Sequence, residues 1–203
     1  LYPEERDGVR IEKELRTVRQ CPASIRDSID RFLREPASSS ADEYIKTFEL
    51  SPPCPLYLGS YLFNEPKSCR GVGLSGRNAY MIELANIYKH FGYELNGGEL
   101  PDFLPLVVDF LWISLEQREK DRIGLRRHFL ERYLLPGVEP LSAALKKYES
   151  PYAWLIESLE AALRVDTAFM ADQPMWEPPD ENFQEKNRGA KLDRKTKKKE
   201  AKL

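Results

Sequence analysis

Residues 80–115 decide the fold and read YMIELANIYKHFGYELNGGELPDFLPLVVDFLWISL. The first part of this stretch repeats large apolar side chains every three or four positions, which is the spacing of one face of an α-helix. These side chains are Tyr80, Leu84, Ile87 and Phe91. Gly92 follows as the left-handed residue that ends a helix, and Asp102 stands where a carboxylate would cap the next helix. The stretch therefore predicts two core helices joined by a loop at residues 96–98.

The same helical spacing recurs before and after this stretch. Ser24, Ser40 and Ser150 each precede such a pattern as an N-cap would, with Glu43 completing a capping box and Pro151 in the first turn of the last helix. Two further groups of apolar positions indicate two separate helices: Leu125, Phe129 and Tyr133, then Leu141, Leu145 and Tyr148. Strand signals are scarce, so the sequence predicts a single all-α bundle of about seven helices.

The composition is that of a globular protein, with 203 residues, 41% of them hydrophobic and 32% charged. The net charge of −2 conceals an asymmetry, because residues 185–203 hold nine Lys or Arg and only three Asp or Glu. Such a segment cannot bury enough apolar surface to offset its ordering entropy. We therefore expect an all-α domain over residues 1–175 and a disordered, proline-containing and basic tail over residues 176–203.

The sequence also disfavours a membrane-spanning protein and a metal-binding protein. The longest nearly unbroken apolar stretch, residues 104–113, is far shorter than the roughly 20 residues that cross a bilayer. No basic-then-apolar secretory signal opens the sequence, which makes the cytoplasm the expected compartment. Cys21, Cys54 and Cys69 are widely spaced and lack a C-x-x-C pair, so we expect reduced cysteines and no metal site.

One enzymatic motif matches literally, the G-x-G-x-x-G of residues 71–76. In a dinucleotide-binding site this motif follows a β-strand, so that the pyrophosphate meets the N-terminus of a helix. Here a polar, proline-broken segment precedes it, and the glycines are expected to form a loop before a helix. His90 and His128 have no Cys, Ser or carboxylate at a triad-like spacing. The sequence therefore indicates a protein that is not an enzyme and needs no cofactor.

The segment GELPDFLPLVVDFL, residues 98–111, allows two interpretations. In the structural one, Pro101 fixes the entry into a helix and Asp102 caps it, a cap whose loss would cost about 1 kcal/mol. In the functional one, the prolines, the carboxylates at positions 99, 102 and 109 and the large apolar residues form a groove for a basic, amphipathic peptide. The residues by themselves favour neither interpretation.

Residues 99–105, ELPDFLP, resemble the E-L-P-D-H-L-P signature of the NarJ/TorD-type redox-enzyme maturation chaperones, in the nitrate reductase delta-subunit branch. Other residues of that branch occur in the same order across residues 44–112. They are Thr47-Phe48-Glu49, Leu56-Tyr57-Leu58, Arg70-Gly71, Tyr88 and Gly92. The resemblance implies an all-α chaperone that binds the N-terminal leader of an apo molybdoenzyme catalytic subunit. It would hold that subunit in the cytoplasm for insertion of the molybdenum cofactor, before membrane attachment or export.

The resemblance also implies which residues bind the leader peptide. Six match the family signature: Glu99, Leu100, Pro101, Asp102, Leu104 and Pro105. Phe103 replaces the family's histidine, which favours apolar contact over a pH-dependent one at that position. Tyr57, Tyr61 and Arg70 are further candidates for peptide binding.

An alternative function rests on the charge of the C-terminal end. A helical nucleic-acid-associated protein would bind through the basic tail, and its binding would weaken steeply with added salt. For the chaperone, in contrast, no specific nucleic acid is expected as a partner.

Overall fold

The computed structural model describes residues 8–18, 21–64, 76–95, 98–116 and 124–172. Within these ranges the regular structure is helical, which confirms the all-α prediction. The α-helices are α1 (Gly8–Thr17), α2 (Ala23–Arg34), α3 (Ala41–Phe48), α4 (Gly59–Leu62), α5 (Gly76–His90), α6 (Leu104–Glu116), α7 (Leu125–Phe129), α8 (Leu135–Lys147) and α9 (Tyr152–Phe169). The predicted tail lies outside the described ranges, as do Arg70 and residues 71–75 of the glycine motif.

Two of the predicted helix ends are confirmed. The Glu43 N–H donates to Ser40 Oγ at 3.3 Å, which caps the start of α3. Gly92 follows α5 with φ of 78°, a left-handed conformation that costs glycine little. The N–H groups of Gly92 and Tyr93 return to carbonyl oxygens of the last turn of α5, as is typical of a glycine-terminated helix.

Two other predicted caps are wrong. Helix α2 begins one residue before Ser24, directly after Pro22, and no side chain caps it. Helix α9 begins directly after Pro151, and the Ser150 hydroxyl lies 3.5 Å from Thr47 Oγ1 instead of bonding to the helix. Proline has its φ fixed near −65° and no N–H to satisfy, so it starts both helices without a polar cap.

Residues 125–147 form one continuous helical run rather than the two separate helices predicted. The run passes from α7 through a π turn (Leu130–Leu134) into α8, which contains Pro136 and Pro140. Neither proline can donate a backbone hydrogen bond, so the regular helical pattern cannot continue unbroken. A Cβ on Gly137 would lie 2.8 Å from the Leu58 Cβ, so glycine allows α8 to approach the segment that carries Tyr57.

The core between α5, α6 and the residue 125–147 run is built largely from aromatic rings. The ring centroids of Tyr88 and Phe110 lie 4.7 Å apart, and Phe110 lies 5.2 Å from Phe129. All three side chains are fully buried. Helix α9 packs against both α8 and α2. This core fixes the end of α5 and the start of α6, and so it positions the loop between them.

Candidate functional site

The segment predicted to bind peptide lies at the start of α6 and pairs with the segment before α4. Two backbone hydrogen bonds, of 3.0 and 2.9 Å, join residues 56–58 to residues 102–104. They form an isolated antiparallel β-bridge between Tyr57 and Phe103. Two stretches that are far apart in the sequence are therefore held side by side.

Asp102 is fully buried, and its carboxylate joins three parts of the fold. Its Oδ2 atom accepts hydrogen bonds from the Gly59 N–H at 3.0 Å and from the Arg77 guanidinium at 3.2 Å. Gly59 begins α4, and Arg77 lies in the first turn of α5. The prediction that Asp102 caps α6 is therefore wrong, because its charge links other elements. Because the Asp102 side chain has no exposed surface, its role at the site is to hold the backbone of the surrounding segments in place.

Close approach requires glycine at position 59. A Cβ on Gly59 would lie 2.6 Å from Asp102 Oδ2 and 3.0 Å from Arg77 Nε, which is closer than van der Waals contact. The Arg77 side chain is only 18% exposed, so the ion pair is shielded from solvent on both sides. We call Gly59, Arg77 and Asp102 the Asp102 cluster.

Tyr57, Glu99 and Phe103, here called the Tyr57 cluster, form a more accessible part of the site. The Tyr57 hydroxyl donates to Glu99 Oε2 at 2.9 Å, and the rings of Tyr57 and Phe103 lie 5.3 Å apart. Burial raises the pKa of the Tyr57 phenol, and the hydrogen bond to Glu99 raises it further. The hydroxyl is therefore protonated at neutral pH and orients the exposed Glu99 carboxylate.

The remaining motif residues divide between core and surface. Leu104 is buried, Pro101 and Pro105 are half-buried, and Leu100 is 44% exposed. The Tyr88 hydroxyl donates to the Pro101 carbonyl at 2.7 Å, which fixes the loop to α5. The motif therefore presents Leu100 as apolar surface and uses Leu104 as an anchor in the core.

Tyr61 packs toward the core, and Arg70 lies outside the described residues. The Tyr61 hydroxyl has no hydrogen-bond partner within the described part of the chain. Burial raises the pKa of this hydroxyl, so it is uncharged at neutral pH. Its half-buried position in α4 places Tyr61 one turn beyond the bridge that carries Tyr57.

Sequence patterns alone do not single out Gly59 or Arg77. Gly59 directly follows the matched triplet 56–58, and a glycine in that position was the available signal for close backbone approach. Arg77 is 25 positions from Asp102 and shares no helix with it, so no spacing rule connects the two. The buried ion pair is a product of the tertiary fold.

The described ranges also contain a cleft away from the start of α6, but no candidate metal site or membrane-spanning helix. Among these residues, no group of three His, Cys, Asp or Glu side chains could hold a metal ion. No helix in the same ranges is long and apolar enough to cross a membrane. A separate open cleft of about 710 Å³ has Tyr148 and Trp154 in its lining, together with α3 side chains. None of the residues predicted to bind peptide lines that cleft, so it is distinct from the site at the start of α6.

The fold and the site define an all-α protein with a distinctive loop-to-helix junction of apolar and acidic residues. The sequence profile of the family described as "Nitrate reductase delta subunit" matches residues 14–142, well over half of the chain. The chain belongs to this family, which confirms the resemblance seen in residues 99–105.

Curated relatives agree with that assignment. The protein of Bacillus subtilis (strain 168) named "Probable nitrate reductase molybdenum cofactor assembly chaperone NarJ" is 30% identical over 143 residues, which cover 68% of this chain and 69% of the relative. The protein of Escherichia coli (strain K12) named "Probable nitrate reductase molybdenum cofactor assembly chaperone NarW" is 25% identical over 158 residues, which cover 78% of this chain and 62% of that protein. No solved structure matches the chain.

Proposed function

We propose that this chain is an assembly chaperone for a nitrate reductase-like molybdoenzyme. The match of residues 14–142 to the delta-subunit family carries the proposal, and both relatives are named as molybdenum cofactor assembly chaperones. The chaperone binds the N-terminal leader of the apo catalytic subunit in the cytoplasm. It holds that subunit for insertion of the molybdenum cofactor, before membrane attachment or export, and catalyses no reaction itself.

The Tyr57 cluster and Leu100 supply suitable chemistry for leader recognition. A leader with arginines and an apolar helix face needs a carboxylate acceptor beside apolar surface. Glu99 offers an exposed carboxylate that the Tyr57 hydroxyl orients through one oxygen. Phe103, in place of the family's histidine, and Leu100 offer apolar contact.

The other predicted residues support this surface in the proposal. Asp102 and Leu104 are buried and fix the loop to the core. The Pro101 carbonyl oxygen accepts a hydrogen bond from the Tyr88 hydroxyl, which fixes the loop further. Their substitution would alter leader binding by moving Glu99 and Leu100. Pro105, Tyr61 and Arg70 stay predicted leader contacts.

Titration calorimetry with a synthetic peptide tests the proposal. The peptide spans about the first 30 residues of the molybdoenzyme catalytic subunit encoded nearest to this chain, enough for one helix and its flanks. We expect saturable binding by the unaltered chain. Because a hydrogen bond to a charged group contributes about 1.5–3 kcal/mol, Glu99→Gln should weaken binding roughly tenfold or more. Glu94→Gln is the matched control, an exposed carboxylate outside the motif, and should leave the affinity unchanged.

Two results would contradict the proposal. The first is absence of peptide binding by the unaltered chain. The second is salt-sensitive binding to nucleic acid that disappears on removal of residues 185–203, which would favour the nucleic-acid alternative.

A further inference from the structure

The outward side of α6 exposes a row of large apolar side chains. Val108, Trp112 and Leu115 recur at the i, i+4 and i+7 positions of one helix face and are 38%, 68% and 44% exposed. We call these three residues the outer face of α6. The adjoining side of the helix contributes buried residues to the core: Leu104, Val107, Phe110 and Leu111. The apolar arc of α6 is therefore wider than the side that the core buries, and an exposed apolar row of this kind is a candidate interaction surface.

The charges carried by α6 itself and by the loop before it are of one sign. Residues 98–116 contain four carboxylates and no lysine, arginine or histidine. Asp109 is exposed and stands three positions before Trp112, on the solvent side of the helix. The basic side chains of Arg77 and Arg126, which contact this part of the chain from other elements, are both paired. Arg77 lies 3.2 Å from Asp102, and Arg126, which is 3.3 Å from Ser114 Oγ on α6, lies 2.6 Å from Asp166. An apolar row with acidic neighbours complements a helix that carries apolar and cationic residues.

The outer face continues from the Tyr57 cluster. Helix α6 begins at Leu104, the residue after Phe103, and Val108 follows one turn later. At a rise of about 1.5 Å per residue, Trp112 lies roughly 12 Å along the axis from Leu104. The outer face itself runs from Val108 to Leu115, roughly 10 Å or two turns, enough to seat apolar side chains spaced at i, i+3 or i+4, and i+7 of a partner helix.

We propose that the outer face of α6 is the docking surface for the apolar side of the client's leader helix. Trp112 forms the centre of the contact, and Asp109 faces the cationic residues of the leader. The inference rests on the proposed function and extends it, since it places the main contact area on exposed residues beyond the ELPDFLP motif.

Calorimetry with the same synthetic leader peptide tests this placement. A buried interfacial Trp is the residue type most often responsible for binding energy, so Trp112→Ser should weaken binding at least about tenfold. Phe169→Ser is the matched control, because Phe169 is an 89% exposed aromatic residue on α9. It should leave the affinity unchanged. Asp109→Asn should cause a smaller loss and a weaker dependence of affinity on salt.

A second measurement uses a chain that keeps Trp112. With Trp154 and Trp176 replaced by Phe, the emission of Trp112 should shift to shorter wavelength when the peptide binds, because the indole leaves water. Peptide binding with equal affinity by Trp112→Ser and the unaltered chain would overturn the inference and leave the proposed function intact. Loss of a dimer in Trp112→Ser, with peptide affinity unchanged, would assign the face to a second copy and also overturn it. Failure of the unaltered chain to bind the peptide would refute both the function and this surface.

Discussion

Replacing Asp102 with alanine should destabilise the fold far more than the loss of a helix cap would. The Asp102 side chain is fully buried and accepts hydrogen bonds from Gly59 and Arg77. In the Asp102→Ala variant the Gly59 N–H loses its acceptor inside the protein. The Arg77 guanidinium, only 18% exposed, loses this carboxylate while it stays largely desolvated.

The size of the effect follows from the burial of the two partners. Removing one member of a buried ion pair costs about 3–5 kcal/mol, because the other charge is left uncompensated. Arg77 retains some solvent contact, so we expect the lower end of that range, about 3 kcal/mol. For a chain of this size each 1 kcal/mol lowers the melting temperature by roughly 2–4 °C, which gives a decrease of about 6–12 °C. Asp102→Asn keeps an acceptor for Gly59 but not the charge, and should lose about half as much.

Urea unfolding and thermal melts, both followed by circular dichroism, measure this change. Asp109→Ala is the matched control, because it removes an exposed carboxylate from α6, and it should stay within about 0.5 kcal/mol of the unaltered chain. An Asp102→Ala variant that loses no more than about 1 kcal/mol would refute the reasoning, since that is the cost of a surface cap alone.

Three further changes probe the same region and one titrating group. Gly59→Ala should cost about 1–3 kcal/mol in urea unfolding because its Cβ would lie 2.6 Å from the buried carboxylate, whereas Gly98→Ala, with no atom within 4 Å, should be neutral. Burial lowers the pKa of His128 below its ordinary 6.5, so the unfolded chain binds the proton first and stability should fall as the pH drops below 6.5. His128→Gln should flatten that part of the stability curve, and an unchanged curve would show that this residue makes no contribution. Tyr57→Phe removes a hydrogen bond near solvent and should cost at most about 1 kcal/mol in thermal melts, yet weaken peptide binding several-fold. Equal peptide affinity of Tyr57→Phe and the unaltered chain would show that the Tyr57 hydroxyl takes no part in peptide recognition.

Local signals in the sequence were sufficient for the parts of the fold that depend on neighbours in the chain. Helix α5 and its end at Gly92 follow from apolar spacing and from one glycine that adopts a positive φ. The cap of α3 by Ser40 needs only a partner three residues away. The caps at Ser24 and Ser150 failed because an adjacent proline starts each helix without side-chain help.

The candidate site depends instead on residues that are distant in the sequence. Asp102 meets Gly59 across 43 positions and Arg77 across 25, and no local pattern encodes either contact. The motif therefore directed attention to residues 99–105 but did not predict which of them are buried and which are exposed. Burial of Leu104 and exposure of Leu100 follow from the bridge to residues 56–58, which is a tertiary contact.

Pairing of residues 56–58 with residues 102–104 sets the order in which the site can form during synthesis. Leu58 is made well before its two contacts, Asp102 and Gly137, which lie 44 and 79 positions later. At about 5–20 residues per second, the interval between Leu58 and Gly137 lasts roughly 4–16 s. Throughout that time either residues 102–104 or helix α8, which packs against Leu58, has not yet been made. The candidate site of a nascent chain is therefore incomplete until α8 has been synthesised.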